Sequence, residues 1–151
     1  MTMTELKTGA DALTEFAAAA PDRPFLQQPL NGEVKTWSRG AALIDAQCLA
    51  NGLLGLGLAP GDRVAILSKN CAEWVISDIG ISMAGLVSVP IYPTAGGNTI
   101  RYVLEHSGAK AIIIGRLDDP TTVEGAVPGE VATIGMRYPS IDCTHEWDGL
   151  V

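Results

Sequence analysis

The sequence predicts an α/β fold: a β-α-β-α-β parallel sheet with helices on both faces, preceded by a helix and a small hairpin. Short runs of branched apolar residues, at 63–67, 87–91 and 111–114, alternate with segments of helical periodicity. Strands that alternate with helices pair in parallel through right-handed crossovers. Hydrophobic residues make up 47% of the 151 residues, enough to bury a core and to exclude disorder for most of the chain.

Residues 1–20 form the predicted N-terminal region, with a helix over 10–20 that ends at Pro21. We expect Leu13, Phe16 and Ala17 to share its buried face. Two strands at 24–29 and 33–38 flank Asn31-Gly32, the dipeptide that favours a tight hairpin turn.

Residues 21–117 form the predicted α/β lobe. Its first helix spans 38–56, and glycines at 55 and 57 end it. The predicted apolar face of this helix is Leu43, Ala46, Ala50, Leu53 and Leu54.

Two further helices are predicted at 70–84 and 98–107, each after a strand. Asn70 is the expected N-cap of the first, with Glu73 three residues later as in a capping box. Asn98 is the expected N-cap of the second, and Gly108 ends it. Pro90 cannot donate a ladder hydrogen bond, so strand 87–91 should lie near a sheet edge.

Residues 118–151 differ in charge, since they hold seven acidic residues and one basic residue while residues 1–117 hold ten and nine. The segment is predicted to be partly irregular, with a weak strand at 130–134. Trp147, Leu150 and Val151 are spaced like the first turn of an amphipathic helix. Because one turn is not a stable helix, we expect the chain to be the N-terminal part of a longer polypeptide.

Composition excludes several classes of function. The net charge of −7 argues against a nucleic-acid partner, because phosphate binding requires clustered Lys and Arg. The longest mainly apolar run, 79–91, is too short to span a membrane. Three widely spaced cysteines indicate no disulfide framework and are typical of the reducing cytoplasm.

Several motifs could carry chemistry, and a structural role is preferred for each. Gly55-Leu56-Gly57 lacks the third glycine of a dinucleotide loop and follows a helix, so it indicates a helix end. Ser68-Lys69-Asn70 follows a strand and could bind an anion, but a capped helix start is favoured. The loop 94–99 is rich in glycine and hydroxyl groups but lacks the lysine of a phosphate cradle, so a connector is favoured.

Four further side chains could also be functional. Cys71 at a helix start could be a nucleophile, yet no histidine is near it in sequence, and a buried inert thiol is favoured. Cys143 and His145 could be half of a metal site, but no second ligand pair follows, so no metal is expected. His106 lies in the last turn of a helix, where a cation is favoured by the dipole.

An ordered set of motifs resembles the start of the adenylate-forming acyl-CoA synthetases, within the AMP-binding superfamily. The set comprises TWS at 36–38, ANGLLGLGLAPGDRVAILSKN at 50–70, EW at 73–74, AG at 84–85, VPIYPT at 89–94 and IRYVLEHSGAK at 100–110. The PIYPT and YVLEHSG segments resemble the long-chain fatty acid-CoA ligase branch most closely. The resemblance covers residues 21–115 and implies the first parallel strands and helices of the large N-terminal domain.

The resemblance implies that the parent enzyme uses ATP, Mg and CoA to convert a fatty acid to an acyl-adenylate and then to a thioester. The family's phosphate loop, ribose-binding aspartate and catalytic lysine have no counterpart in these residues. We therefore expect no catalytic or metal-binding residue here, no cofactor bound by this chain alone, and no activity of its own. Tyr92, Pro93 and Thr94 match positions near the CoA arm in relatives and are the only cofactor-side candidates.

The resemblance also implies partners: the fatty acid substrate of the parent, and the remainder of the same polypeptide. Exposed apolar surface on the isolated lobe predicts self-association into a homo-oligomer. The parent is expected in the cytoplasm, or peripheral to a membrane. The alternative is a stand-alone, non-catalytic binding module built from the same lobe. An unrelated flavodoxin-like or Rossmann-like enzyme ranks last, because no phosphate-binding turn follows strand 63–67.

Overall fold

The computed structural model describes residues 7–138 and 141–151; the first six residues of the predicted N-terminal region lie outside the described residues. The helices are α1 Gly9–Ala19, α2 Arg39–Gly55, α3 Ala72–Met83 and α4 Gly97–Ser107. The strands are β1 Pro24–Leu30, β2 Glu33–Ser38, β3 Arg63–Leu67, β4 Val87–Ile91, β5 Ala109–Ile114, β6 Ala132–Gly135 and β7 His145–Glu146. Short 3₁₀ helices at Pro120–Val123 and Trp147–Gly149 complete the described elements.

A parallel sheet of five strands, ordered β4-β3-β5-β6-β7, forms the centre of the molecule. The predicted α/β fold is confirmed, and β6 and β7 extend the sheet beyond the three strands of the predicted β-α-β-α-β unit. The strand expected at 130–134 lies at Ala132–Gly135. Strand β4 is at the edge, as Pro90 predicts.

Helices cover both faces of the sheet, because alternate residues of each strand point in opposite directions. On β3, Val64 and Ile66 pack against the layer made by α1, α2, α3 and the hairpin. Ala65 and Leu67 pack against α4 and the 3₁₀ helix Pro120–Val123 on the other face. A strand buried on both faces explains the continuous apolar run at these positions.

The N-terminal helix and hairpin form as predicted, with one difference. Leu13 and Ala17 of α1 are buried, whereas Phe16 is 47% exposed and its ring centroid lies 5.0 Å from the guanidinium carbon of Arg39. In the hairpin, the φ angles of Asn31 and Gly32 are 54° and 83°. Two positive φ angles are the requirement of the type I′ turn that joins twisted strands.

Helix α2 packs closely under the end of the chain. A Cβ at Gly52 would lie 3.0 Å from Cβ of Leu150, so glycine leaves the room that this contact needs. Leu54, expected on the buried face, is 39% exposed, and the periodicity prediction is wrong at that position. The residues that α2 does bury are Ala42, Ala46, Leu49, Ala50 and Leu53.

The predicted cap of α3 is wrong. The helix begins one residue later than expected, so that Cys71 takes the N-cap position without a side-chain hydrogen bond. The backbone N–H of Ala72 instead donates to Oε1 of Gln28 at 3.1 Å. Gln28 of the hairpin, 44 positions away in sequence, thus caps the start of α3 in place of Asn70.

The C-terminal segment joins the sheet rather than lying apart from it. Strand β7 pairs with β6, and the following Trp147 is fully buried. The first turn expected to be α-helical is a 3₁₀ helix, Trp147–Gly149. Its predicted continuation as an amphipathic helix stays a prediction. Across 7–138 and 141–151, every helix is too short or too polar to cross a bilayer.

Candidate functional site

Two gaps lie at the carboxyl edge of the sheet, one on each side of β3. The strand order β4-β3-β5 reverses between β3 and β5, which is where this topology favours a ligand. The chain leaves β3 toward α3 on one face and leaves β4 toward α4 on the other. Because these two connections diverge, a crevice also lies between β3 and β4.

A shallow pocket of about 260 Å³ occupies this crevice. It is lined by Ser68, Asn70, Trp74, Pro90, Ile91, Tyr92 and Pro93. Tyr92 is 84% exposed at its rim, and Thr94 is exposed in the turn that follows. None of these described lining residues is Lys, Arg, His, Asp or Glu, so the pocket suits a small neutral or apolar group better than a phosphate.

On the β5 side of β3, the crevice is filled by the protein itself. Oγ of Ser68 donates to the carbonyl of Lys69 at 2.7 Å and accepts the N–H of Arg116 at 2.9 Å. A Cβ on Gly115 would overlap both Ser68 Oγ and Met136 Sδ. Because the hydroxyl is already used and the space is closed, no ligand can enter between β3 and β5 without rearrangement.

Cys71 lies beneath this closed crevice as a buried thiol. Its Sγ is 3.9 Å from Oγ of Ser68 and 3.8 Å from Sδ of Met136. Burial raises the pKa of the thiol, and the nearby Glu73 carboxylate raises it further, although the N–H of Trp74 opposes the shift. A raised pKa lowers the thiolate fraction, so the preferred interpretation of an inert cysteine is supported and the nucleophile is not.

A buried polar cluster next to Cys71 was not foreseen from the sequence. Glu73 is 1% exposed, and its Oε2 accepts a hydrogen bond of 2.8 Å from the hydroxyl of Tyr138. Nε of Arg137 lies 3.1 Å from Oε1 of Glu73 without hydrogen-bond alignment, and another guanidinium nitrogen lies 2.5 Å from Oδ1 of Asp148. The cluster joins α3 to the segment after β6 and to the C-terminal turn.

The electrostatics of the cluster indicate a role in stabilising the fold. Burial raises the pKa of the Tyr138 phenol above its ordinary value, and the hydrogen bond to Glu73 adds to the shift. The phenol therefore keeps its proton and donates the hydrogen bond to Glu73. The partners are 65 residues apart in sequence, and no local pattern connects them.

Five basic residues of the lobe make contacts within the described part of the chain. The partners are the carbonyls of Ser107 and Gly108 for Arg63, Asp118 for Lys69, the carbonyl of Gly125 for Arg101, Asp62 for Lys110 and the ring of Tyr138 for Arg116. Binding a nucleoside triphosphate requires hydrogen-bond donors and cations that converge on its phosphates. These five side chains point to separate contacts and do not converge.

The glycine-rich loop 94–99 contains glycine for a packing reason. Gly96 is the N-cap of α4, whereas Asn98, the predicted cap, lies within the first turn, so that prediction is wrong. A Cβ at Gly97 would lie 2.9 Å from the carbonyl oxygen of Thr122. The close approach of the Thr122 backbone explains the glycine at position 97. This packing role agrees with the interpretation of the loop as a connector. At 55–57, φ of Gly57 is +90°, as expected after a helix end.

The remaining sequence candidates do not assemble into a site. Cys143 and His145 lie on either side of Thr144, which hydrogen-bonds Thr133 of β6. Among the residues described, no group of three His, Cys, Asp or Glu side chains is placed to hold a metal ion. His106 stacks on Tyr102 with ring centroids 5.3 Å apart, on the surface of α4.

The sequence pattern of a known enzyme family accounts for this arrangement. The model of the family described as AMP-binding enzyme matches residues 13–142, which include both faces of the core and the pocket at β3 and β4. The chain belongs to the AMP-binding enzyme family. Relatives of the chain include fatty acyl-CoA synthetase A of Dictyostelium discoideum, 38% identical over 91 residues, which are 60% of this chain and 14% of the relative.

A second AMP-binding relative is the long-chain-fatty-acid–CoA ligase FadD15 of Mycobacterium bovis. It is 32% identical over 114 residues, which are 76% of this chain and 19% of the relative. The chain thus spans less than a fifth of the length of these two curated relatives. The fold agrees with a solved structure of a candidate long-chain-fatty-acid CoA ligase from Rhodopseudomonas palustris, at a TM-score of 0.78 and 26% identity. That match covers 97% of this chain and 37% of the other.

Proposed function

We propose that this chain is the first structural lobe of an ATP-dependent fatty acid-CoA ligase. In the proposed reaction, a fatty acid carboxylate attacks the α-phosphorus of Mg-bound ATP and pyrophosphate leaves. The thiol of CoA then attacks the acyl carbonyl carbon, and AMP leaves. The names of the relatives support the reaction class, and the match over residues 13–142 supports the lobe's place in such an enzyme.

The observation that carries the scaffold role is the commitment of the basic side chains. Arg63 donates to a backbone carbonyl, and Lys69 and Lys110 pair with carboxylates of this chain. In-line transfer at phosphorus depends on donors and cations around the triphosphate. The described residues do not fit ATP, Mg or CoA as a built site, so those groups belong to the parent enzyme and the lobe alone is proposed to be inactive.

Tyr92, Pro93 and Thr94 are proposed as the lobe's contribution to the CoA side of the parent enzyme. Support comes from the exposure of Tyr92 at the rim of the β3–β4 pocket and from the neutral lining of that pocket. A cytoplasmic location is proposed for the parent. Its support is that Cys48, Cys71 and Cys143 are all free thiols.

The test combines two measurements. The purified chain is assayed for ATP–pyrophosphate exchange with fatty acids of several lengths, and no exchange is expected. In parallel, the segment of the Mycobacterium bovis ligase that matches 114 residues of this chain is replaced by those residues, and acyl-CoA formation is measured. A chimera that folds and keeps measurable activity supports the scaffold role. Exchange by the isolated chain, or a folded chimera without activity, would contradict it.

A stand-alone binding module is the second candidate. The lobe closes a core on both faces of its sheet, which a domain that folds alone requires. Calorimetric titration of the chain with ATP, AMP, CoA and a fatty acid separates the candidates. Saturable binding of any of these favours the module, whereas no binding by a folded chain favours the scaffold.

A further inference from the structure

The solvent-facing side of α2 carries no charged side chain. The helix has two ionisable side chains with charge, Arg39 and Asp45. Arg39 lies over the ring of Phe16, and Oδ2 of Asp45 accepts a 2.8 Å hydrogen bond from Nε1 of Trp37. Exposed helix faces of globular proteins normally hold charged residues. An uncharged face on a chain of net charge −7 indicates a surface that another molecule covers.

Four residues form a seam along this face: Ile44, Gln47, Asn51 and Leu54. Their spacing of three, four and three residues is the a/d repeat of a coiled-coil seam. All four are exposed, Ile44 at 60% and Leu54 at 39%. The opposite side of α2 already buries its own apolar row in the core. The helix therefore has two uncharged faces, and the described residues cover only one of them.

The seam is chemically symmetric about position 49. When two α2 helices are paired antiparallel, Ile44 faces Leu54 of the other copy, and Gln47 faces Asn51. Aliphatic side chains thus meet aliphatic ones, and amides can hydrogen-bond amides. A two-fold interface must be complementary to itself, which is what this pattern provides. A polar residue at an a position fixes the register of such a seam.

The residues beside the seam permit a close approach. Ala41, Cys48 and Gly55 flank it on one side and are small. A concavity of about 450 Å³ runs next to the seam between α1, α2 and α3, lined by Thr14, Gln47, Ala50, Asn51 and Met83. A second helix can thus lie against α2 without meeting a bulky or charged side chain along these positions.

We propose that a second copy of this chain binds here, through antiparallel packing of the two α2 helices about a two-fold axis at position 49. The proposal identifies the surface of the homo-oligomer and does not depend on the ligase function. It predicts a reversible dimer of twice the 15.8 kDa chain mass. It further predicts that Cys48 of one copy lies beside Cys48 of the other, because these side chains occupy the same flank close to the axis.

Sedimentation velocity from the low micromolar to the submillimolar range tests the surface. The wild-type chain is expected to shift from monomer to dimer, and I44K should raise the dimer dissociation constant about tenfold or more, because an unpaired ammonium would be buried. The matched control is V34K on the hairpin, since Val34 is 59% exposed and lies outside the seam. A wild-type chain that stays monomeric, or equal effects of I44K and V34K, would overturn the proposal. Far-UV circular dichroism checks that each variant folds.

Mixing variants tests the register. I44K and L54E are each expected to be weakened as homodimers, but an equimolar mixture should recover a dimer, because Lys at 44 then faces Glu at 54. A parallel or shifted pairing would not bring these positions together. A mixture no tighter than either variant alone would refute the antiparallel register. In addition, diamide should oxidise the two Cys48 thiols to one intermolecular disulfide, and C48S should abolish this product while retaining the reversible dimer. Absence of the wild-type cross-link would count against the axis position.

Discussion

Nε1 of Trp147 donates a hydrogen bond of 2.9 Å to Oγ of Ser77, and both side chains are fully buried. The bond joins the last described turn of the chain to the middle of α3, 70 positions earlier. Because an indole N–H without a partner is costly to bury, the pair fixes the C-terminal segment in one position against the helical layer.

Trp147→Ala should destabilise the chain by about 3–5 kcal/mol, the usual cost of removing a large buried aromatic side chain. Ser77→Ala should cost about 1–3 kcal/mol by leaving the indole N–H unpaired. Unfolding in urea, followed by circular dichroism, measures both. Tyr92→Ala, at an exposed position, is the control and should change stability by less than about 0.5 kcal/mol. Equal stability of Trp147→Ala and wild type would mean that the segment does not belong to the folded core.

Gln28→Ala should cost about 1 kcal/mol, because it removes the oxygen that accepts the Ala72 N–H at the start of α3. Asn70→Ala should change the free energy of unfolding by less than about 0.5 kcal/mol, since its side chain does not cap the helix. The two variants are compared in the same denaturant titration. A larger loss of stability for Asn70→Ala than for Gln28→Ala would show that Asn70 caps the helix.

Gly115→Ala should cost about 1–3 kcal/mol, because its methyl group would overlap Ser68 Oγ and Met136 Sδ in a packed crevice. Gly55→Ala is the matched substitution at a glycine with open space around the added atom. It lies within α2 and should be neutral or stabilising by up to about 1 kcal/mol. Thermal unfolding of both variants gives the comparison, and a neutral Gly115→Ala would show that the crevice is looser than its geometry indicates.

Stability should fall above about pH 10, and Tyr138 should contribute to the fall. Burial and the bond to Glu73 raise the pKa of this phenol in the folded state above the ordinary value of about 10. The folded state therefore keeps a proton that the unfolded state loses, so the stabilisation is complete below pH 10 and is lost as the pH rises. Buried Cys71 and half-buried Cys143, whose pKa values are raised by desolvation, act in the same direction.

Tyr138→Phe tests this linkage. The variant should be less stable than wild type at neutral pH, because Glu73 loses its donor, and its stability should decline less steeply at alkaline pH. Tyr92→Phe, at an exposed tyrosine, should keep the wild-type pH profile. Midpoints of urea unfolding at several pH values give the slopes, and parallel slopes for Tyr138→Phe and wild type would contradict the assignment.

Elements with a local signal could be predicted closely. The hairpin depends on Asn31-Gly32, where two positive φ angles are needed. Strands β3 and β4 were predicted with their observed bounds, because buried strands form short apolar runs between turn residues. The edge position of β4 followed from Pro90, which lacks a backbone donor.

The helix starts show where local signals fail. Asn70 and Asn98 have the chemistry of N-caps, yet α3 is capped from the hairpin by Gln28 and α4 begins at Gly96. A capping box was expected at Glu73, but its carboxylate is turned inward to Tyr138 and Arg137. In both features of α3, a partner distant in sequence replaces the expected local one. For Glu73 the reason is that a buried charge needs more compensation than an exposed capping position provides.

The amino-acid sequence by itself determined the alternation of strands and helices, the parallel sheet covered on both faces, and the family resemblance, because all three depend on periodicity and short motifs. Only the tertiary structure decided that β6 and β7 join the sheet, that Trp147 closes the core on Ser77, and that Lys69 and Lys110 pair with carboxylates of the chain. The physical reason is that a buried donor, acceptor or charge is stable only beside its partner, and these partners lie tens of residues apart along the chain.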